Sequence, residues 1–596
     1  MKTTFLLIII LLSTSVFAFD LIKDGKPNAT VIISNDMTAP EVNAANEFIE
    51  YIGKITSVTL KISTTPTREN NIYFGQTQKV KNITKYDFSK IGKDGIYIKS
   101  GKDYLIFSGD RPRGTLYAVY TFLEDNLGCC FYSPKEEYVP QKDNINIDNI
   151  SITYAPPFEI RESYFRVNLN REDYKFFVKN KLNGLSNVIP EEWGDHAKVI
   201  GWAHTIPQLI PVSKYGKDNP EWFALVNGQR DVYDTSEPYT KVANICFSNK
   251  EVIDELTKVV LEKIEDDHSK VIITVTQPGE LDETDRRCHC ENCLKLYDRY
   301  GNSGAFLTVI NHVAREAKKK NPNAYIDTFA YKWTRQAPKN IKPEDNVIIF
   351  LCGIECDFAT PINSENNKEY YKDFQDWKKL TDNLYIWDYA VNYLNSHPLF
   401  PNFHILQDNI KIYADNNIKA IMAEGDDFNY DTALISLKAY LIEKLLWNPN
   451  DDVDKLTKQY LDLYFGPAGE DVYNYLNIIT KAVQREKVYL KCFNKGNTFL
   501  NEKDYMDAFN ALYNGYNKVK DNDVLLNRLY VQIFSLQFSV WQAPEEVQEK
   551  VKNTGILDPY ETKEKFLEMY IPFSISHKNA YGQYGIHIND SELYKY

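Results

Sequence analysis

Residues 346–355 read "NVIIFLCGIE", apolar almost to the last position, where a carboxylate stands. Such a run reads as a β-strand that delivers a charged side chain at its C-terminal end. Working outward, seven runs of the same kind share the stretch from Phe158 to about Asn450: "FEIRESYFR" (158–166), "LNGLSNVIP" (182–190), "KVIGWAH" (198–204), "VIITVTQ" (271–277), "YIDTFAY" (325–331), "LYIWDYA" (384–390) and "IKAIMAEG" (418–425). Long helical segments separate several of them. In the one near 302–320, Phe306, Val309, Ile310, Val313 and Ala317 recur at helical spacing on one face. Eight β-runs alternating with helices predict an α/β chain with a central (β/α)8 TIM-type barrel over residues 151–450.

The flanks read differently. Residues 1–18 carry a lysine before an apolar stretch and end in small residues at Ala18, the layout of a secretory signal peptide. Residues 19–150 alternate short β-runs with helix signals: "ATVIIS", "NIYFG", "GIYIKS" and "YLIFSG", with a helix opening at Pro40 and another closed by Gly128. They predict a small α/β domain, with "SITYAPPFEI" (151–160) as the linker out of it. From Asp451 to the end the periodicity is helical throughout, which predicts an α-helical C-terminal domain.

Composition excludes some functions. A net charge of −13 is the wrong sign for a protein that neutralises phosphates, so nucleic acid is not an expected partner. No later segment has the run of about 18 apolar residues that a membrane span needs, so no membrane partner is expected either. A secreted or periplasmic location follows from the leader. Oligomeric state has no signature here. Neither a G-x-S-x-G elbow nor a phosphate-cradling G-x-x-x-x-G-K-[ST] occurs.

Catalytic groups of a barrel sit at the C-terminal ends of its strands. In this sequence those ends carry carboxylates and aromatics: Trp202 and His204 after the third run, Gln277 and Glu280 after the fourth, Tyr331 after the fifth, and Glu355 after the sixth. Trp387, Asp388 and Tyr389 end the seventh, and Glu424 the eighth, followed by Asp426 and Asp427. Paired carboxylates among aromatic faces suit glycosidic bond cleavage: one protonates the leaving oxygen, while the other acts as nucleophile, activates water or positions a substrate acetamide. Glu355, leaving an apolar strand, is expected to be partly desolvated, which would raise its pKa. The expected substrate-binding set is Trp202, His204, Trp222, Tyr331, Trp387 and Tyr389. No cofactor is expected for catalysis.

"RRCHCENC" (286–293) sets Cys290 and Cys293 at the C-x2-C spacing of half a zinc site, with Cys288 or His289 as a third ligand. A fourth ligand would come from Cys246, Cys352, Cys356 or a distant histidine. A structural zinc, disulfides and buried free thiols all fit the spacing. A thiolate-rich set argues against a catalytic metal. "GCC" at 128–130 reads as core.

Several motifs in order carry a resemblance: "CHCENC" (288–293), residues 327–362 around "FLCGIEC", "DNLYIWDYAVNY" (382–393), "IKAIMAEGD" (418–426) and residues 439–469 ending "LYFGPAG". Together they resemble the domain of unknown function 4838, which includes glycoside hydrolase family 163, across about residues 155–475. "GDRPRGTLYAVYTFLEDNLG" (109–128) resembles the small α/β domain that precedes the barrel in hexosaminidases and α-glucuronidases. The resemblance implies a secreted bacterial glycoside hydrolase and, for the family 163 branch, an endo-β-N-acetylglucosaminidase acting on N-glycans of glycoproteins. It places Glu355, Asp388 and Glu424 on motif positions. The family's short "SQND"-like segment is replaced here by "TQPGELDETD" (276–285), so Glu280 and Asp282 do not transfer. An exo-acting hexosaminidase or α-glucuronidase, and a non-catalytic glycan-binding protein on a barrel scaffold, are the alternatives.

Overall fold

The computed structural model describes residues 19–68, 70–165, 174–185, 188–196, 198–232, 243–265, 270–278, 286–392, 399–425, 432–492, 499–554 and 556. The expected leader at 1–18 and the candidates Glu280, Asp282, Asp426 and Asp427 lie outside the described residues. The chain divides into two compact units, one made of the chain up to Phe131 with Lys135–Pro156 and Ile189–Asp195, the other of Tyr132–Pro134, Pro157–Val188 and the chain from His196 onward.

The first unit holds a six-stranded sheet in the order Lys61–Ser63, Ala29–Ile32, Asn70–Phe74, Tyr104–Gly109, Ile96–Ser100 and Ser151–Tyr154. The first four strands pair in parallel, and Ile96–Ser100 runs antiparallel to both its neighbours. "SITY", expected as linker, is therefore the edge strand of this sheet. The helix Ala39–Thr56 buries Phe48, Tyr51 and Ile52. At its start the buried Glu41 carboxylate accepts from the Thr38 and Gln76 backbone N–H groups and from Arg111, so its charge is paired. Gly75, at φ +77°, makes room for it, since a Cβ there would lie 2.4 Å from the carboxyl carbon.

The second unit is built on a curled parallel sheet of seven strands: β1 Ile160–Tyr164, β2 Val199–Ile200, β3 Val271–Thr274, β4 Ala324–Ala330, β5 Val347–Cys352, β6 Leu384–Tyr389 and β7 Ala420–Glu424. Its order is β1-β7-β6-β5-β4-β3-β2. The first strand thus pairs with the last, Ile160 opposite Ala420 and Tyr164 opposite Glu424, as barrel closure requires. The open edge lies between β1 and β2, where the expected second strand at 182–190 does not form among the described residues. There the Asn183 backbone N–H reaches the Arg161 carbonyl, but side chains then take over the ladder. Asn183 Oδ1 accepts from Arg161 N, and Glu162 Oε2 accepts from Leu185 N, local bonds that compete with strand pairing. Gly184 permits this, because a Cβ there would lie 2.6 Å from that of Glu162. The expectation of eight strands is corrected to seven among the described residues, in an incompletely closed, TIM-like sheet.

β2 is short for a visible reason. Gly201, Ala203 and His204 all take positive φ, which ends the extended run. Thr205 then continues the pairing with its hydroxyl, donating to the Thr274 carbonyl and accepting from Thr276 N. Helices α1 Lys250–Glu262, α2 Glu291–Lys320, α3 Lys368–Lys378, α4 Phe403–Asp415 and α5 Ile435–Trp447 connect or follow the strands. Arg161 lies on the helix-facing side of β1, fully buried, donating to the Phe158 and Lys181 carbonyls and lying over Trp447. Beyond residue 451 the described segments of regular structure are helical.

Candidate active site

Alternation along the strands decides which side chains enter the concave side of the sheet. On β4 and β5 these include Phe329 and Phe350, and on β6 Tyr385 and Trp387, which meet edge to face with centroids 5.1–6.3 Å apart. Toward the C-terminal ends the cluster widens into an aromatic floor. Trp202 stacks on Tyr164 at 5.3 Å and touches Trp387 at 5.4 Å, and His204 meets Phe329 and Tyr331 at 5.6 and 6.0 Å. Tyr164 and Trp202 keep part of their faces exposed, whereas Trp387 is 8% exposed. Such half-covered rings suit the apolar face of a sugar.

Glu424 stands at the end of β7 beside this floor. Trp387 donates its indole Nε1–H to Glu424 Oε2 at 2.5 Å, fixing the carboxylate against the ring system. Glu355 occupies a different setting from the one expected. The strand ends at Cys352, and Glu355 follows in a turn with 42% of its side chain exposed, its Oε2 accepting from Arg335 Nη1 at 3.1 Å. Strand β5 is buried along its whole length, but a glycine and one further turn residue carry Glu355 beyond the apolar run to the exposed side of the turn. Arg335 is anchored in turn by Asp373 at 2.9 Å. The two glutamates border common ground: burial pushes the Tyr331 phenol and the Cys352 thiol up, and the charges of both Glu355 and Glu424 add to each shift.

Asp388 turns the other way. With Trp387 on the concave side, its carboxyl faces the helices, where its charge acts on Cys356, Tyr370 of α3 and Tyr413 of α4. Burial pushes its carboxyl up to about 6, and the Tyr389 backbone N–H, donating at 3.0 Å, partly opposes that. Tyr389 is buried beside Phe358. Trp222 is buried too, packed on Tyr215 with its Nε1 donating to Glu251. These partners belong to the helical layer rather than the rim, so Trp222 is no stacking platform. Among the expected aromatics, Trp202, His204, Tyr331 and Trp387 come together, and Tyr389, on the same face of β6 as Trp387, joins them through a hydrogen bond with the Cys352 thiol.

His204 is oriented by its neighbour. Its Nδ1 lies 2.8 Å from the Gln277 carbonyl, which makes Nδ1 the donor and leaves Nε2 the acceptor of a neutral ring; burial lowers its pKa. Gln277 in turn donates to Thr334 at 2.9 Å, while its own Oε1 is buried without a hydrogen-bond partner among the described residues. Four groups carried no expectation. Tyr164 and Phe329 complete the floor. Asp327, buried within β4, has its carboxyl pushed up to about 7 by burial, against a hydrogen bond from Thr274. A carboxylate interrupting the apolar "YIDTFA" was its one signal. Cys492 belongs to the C-terminal segment, and the charges of Glu424 and Asp388 raise its thiol further after burial. Local sequence holds no mark of that.

Cys288, Cys290 and Cys293 also come together, and Cys246 joins them: one sulfur from each lies within 4.8 Å of all the others. All nine cysteines are described and none forms a disulfide; Cys129 and Cys130 are buried, as core residues are.

Residues 131–477 match the family model described as "Domain of unknown function (DUF4838)". Residues 23–122 match the one described as "Glycosyl hydrolase family 67 N-terminus". No curated protein matches the chain. Among solved structures, the chain is similar to "A novel family GH115 4-O-Methyl-alpha-glucuronidase, BtGH115A, with specificity for decorated arabinogalactans", at 11% identity and a TM-score of 0.54, covering 92% of this chain and 78% of that one. That is a likeness of fold. Weaker matches are "Structure of CpGH84D" (13% identity, 92% and 89% covered, TM-score 0.43) and "Structure of CpGH84B" (13%, 94% and 93%, TM-score 0.43).

Proposed function

The chain belongs to the family described as domain of unknown function DUF4838, whose model spans more than half of it, and from that premise we propose that it is an exported glycoside hydrolase acting through paired carboxylates. The observation that carries the reading is Glu424, held by the Trp387 indole at the edge of the Tyr164–Trp202–Trp387 floor. A sugar ring laid on the exposed part of the stacked Tyr164–Trp202 pair presents its glycosidic oxygen to carboxylates at the strand ends. Glu424 and Glu355 form the working pair, one as proton donor and the other as its partner. Arg335 orients Glu355 through the 3.1 Å contact. The neutral His204, with Nε2 free to accept, suits a sugar hydroxyl.

Within that class we favour an endo-β-N-acetylglucosaminidase acting on N-glycans, which the likeness of "FLCGIEC", "IWDY" and "AEGD" to the family 163 branch supports. The substrate is then a glycan or glycoprotein. Among the described residues no helix is long and apolar enough to cross a membrane, and the leader-like residues 1–18 support export.

A specific observation favours one second reading. The match of residues 23–122 to the family 67 N-terminus, together with Arg335 at the rim, suits an exo-acting α-glucuronidase whose substrate carboxylate would meet a guanidinium. Arg335 already serves Glu355 and Asp373, and Arg161 is buried behind β1, which weighs against it.

The test is incubation of the purified protein with a panel of N-glycoproteins and free glycans, with products read by mass spectrometry. Released glycans ending in one core N-acetylglucosamine are the expected result. Free uronic acid or free N-acetylhexosamine as the sole product would replace the endo reading by an exo one. Glycan binding without any product would leave a carbohydrate-binding protein.

A further inference from the structure

The cysteine cluster has a geometry of its own, independent of the active-site reading. Four sulfurs mutually within 4.8 Å, with Cys246 at 3.6 Å from Cys290 and 3.7 Å from Cys293, are too far apart for S–S bonds of about 2 Å. They match the edges of a tetrahedron instead. A zinc–sulfur bond of about 2.3 Å puts the corners of a regular ZnS4 tetrahedron about 3.8 Å apart.

The surroundings suit thiolates. Cys290 caps α2 and Cys293 sits in its first turn, where free backbone N–H groups and the positive end of the helix dipole favour negative charge. The Leu225 backbone N–H donates to Cys288 Sγ at 3.3 Å. The Ser248 hydroxyl lies 3.3–3.4 Å from the sulfurs of Cys246, Cys290 and Cys293. Such outer contacts disperse the charge that four thiolates bring to a divalent ion.

The chain positions are equally telling. Cys246 follows the isolated bridge between Phe223 and Ile245, with its backbone N–H on the Trp222 carbonyl. Cys288–Cys293 lie where the chain returns from the C-terminal end of β3 into α2, and His289 N–H closes on the Leu225 carbonyl. One ion would therefore pin two segments more than 40 residues apart in sequence at the start of α2.

We infer that Cys246, Cys288, Cys290 and Cys293 form a closed tetrathiolate site for a structural divalent transition metal, zinc by its ligand softness. Binding releases one proton from each thiol to solvent and leaves a four-coordinate complex of net charge −2. With all four positions taken by protein there is no place for a catalytic water.

Metal analysis of the purified full-length protein, after dialysis against metal-free buffer, is expected to give one zinc per chain. Alkylation in denaturant with chelator but no reductant is expected to label all nine cysteines. After metal removal, Co2+ should restore one equivalent, with the intense visible bands of a tetrahedral tetrathiolate. Cys290→Ser should abolish stoichiometric binding while Cys129→Ala retains it. Because wild-type protein supplies three of these readings, a variant that fails to fold leaves the test intact. Substoichiometric zinc together with four cysteines resistant to alkylation would establish two disulfides and overturn the inference. Co2+ bound with octahedral spectra, or unaltered binding in Cys290→Ser, would overturn it as well. None of these readings depends on glycan turnover, so the site and the proposed activity stand or fall separately.

Discussion

Trp387 Nε1 donates to Glu424 Oε2 at 2.5 Å, joining the aromatic floor to the carboxylate that ends the last strand of the sheet. A hydrogen bond to a charged group is worth roughly 1.5–3 kcal/mol, or about 10- to 100-fold in a rate that depends on it. Trp387→Phe keeps a ring against Phe329 and Phe350 but removes the donor. Steady-state kinetics on a released glycan should show kcat reduced by that factor with KM little changed. An equal loss confined to KM would mean that the indole holds substrate rather than the carboxylate.

Glu355→Gln and Glu424→Gln preserve shape while removing a proton donor or an anion. Each should lower kcat by roughly 10²- to 10⁴-fold, the usual contribution of a positioned acid or base, with circular dichroism unchanged. Full activity in both variants would remove the paired-carboxylate mechanism.

Trp202 stacks on Tyr164 at 5.3 Å and offers a partly exposed face. Trp202→Ala should weaken glycan binding by about 0.5–1.5 kcal/mol beyond the lost buried area, seen as a rise in KM or in the Kd of an inactive Glu424→Gln protein. Trp222→Phe, at a ring buried against Tyr215, should leave both constants near the parent values and act on stability instead.

Asp327 makes stability depend on pH. Burial pushes its carboxyl up to about 7, well above an unfolded aspartate, so the folded state holds the proton more tightly than the unfolded one. Its favourable contribution is complete below about pH 4 and is lost as pH rises through about 7. Asp388, pushed up to about 6, and Glu443, pushed up to about 8, act with the same sign. Denaturant unfolding should find Asp327→Asn gaining on the parent by a few kcal/mol between pH 5 and pH 8, given about 1.4 kcal/mol per pKa unit. A difference independent of pH would show that Asp327 does not titrate in this range.

Much of the sheet was legible. β3 to β7 fall on five of the quoted runs because long apolar stretches bounded by polar residues have few other stable fates. The second run failed for a local reason: the Asn183 side chain accepts from Arg161 N and the Glu162 side chain from Leu185 N, bonds that replace a ladder. The third shrank to two residues because Gly201, Ala203 and His204 turn into the left-handed region. Both effects depend on what lies opposite, which a linear pattern does not record.

By itself, the sequence determined which residue types meet at the C-terminal ends of the strands, because strand length and alternation are properties of neighbours along the chain. It also determined the C-x-C-x2-C spacing. Only the tertiary structure decided their settings. It turned Glu355 out to Arg335 and Asp388 back toward Tyr370 and Tyr413, set Glu424 on the Trp387 indole, buried Trp222, and brought Cys246 to the other three cysteines. The physical reason is that burial, charge pairing and ligand closure are set by groups distant in sequence. Periodicity fixes the face a side chain takes on its own strand, and packing across the sheet fixes what waits there.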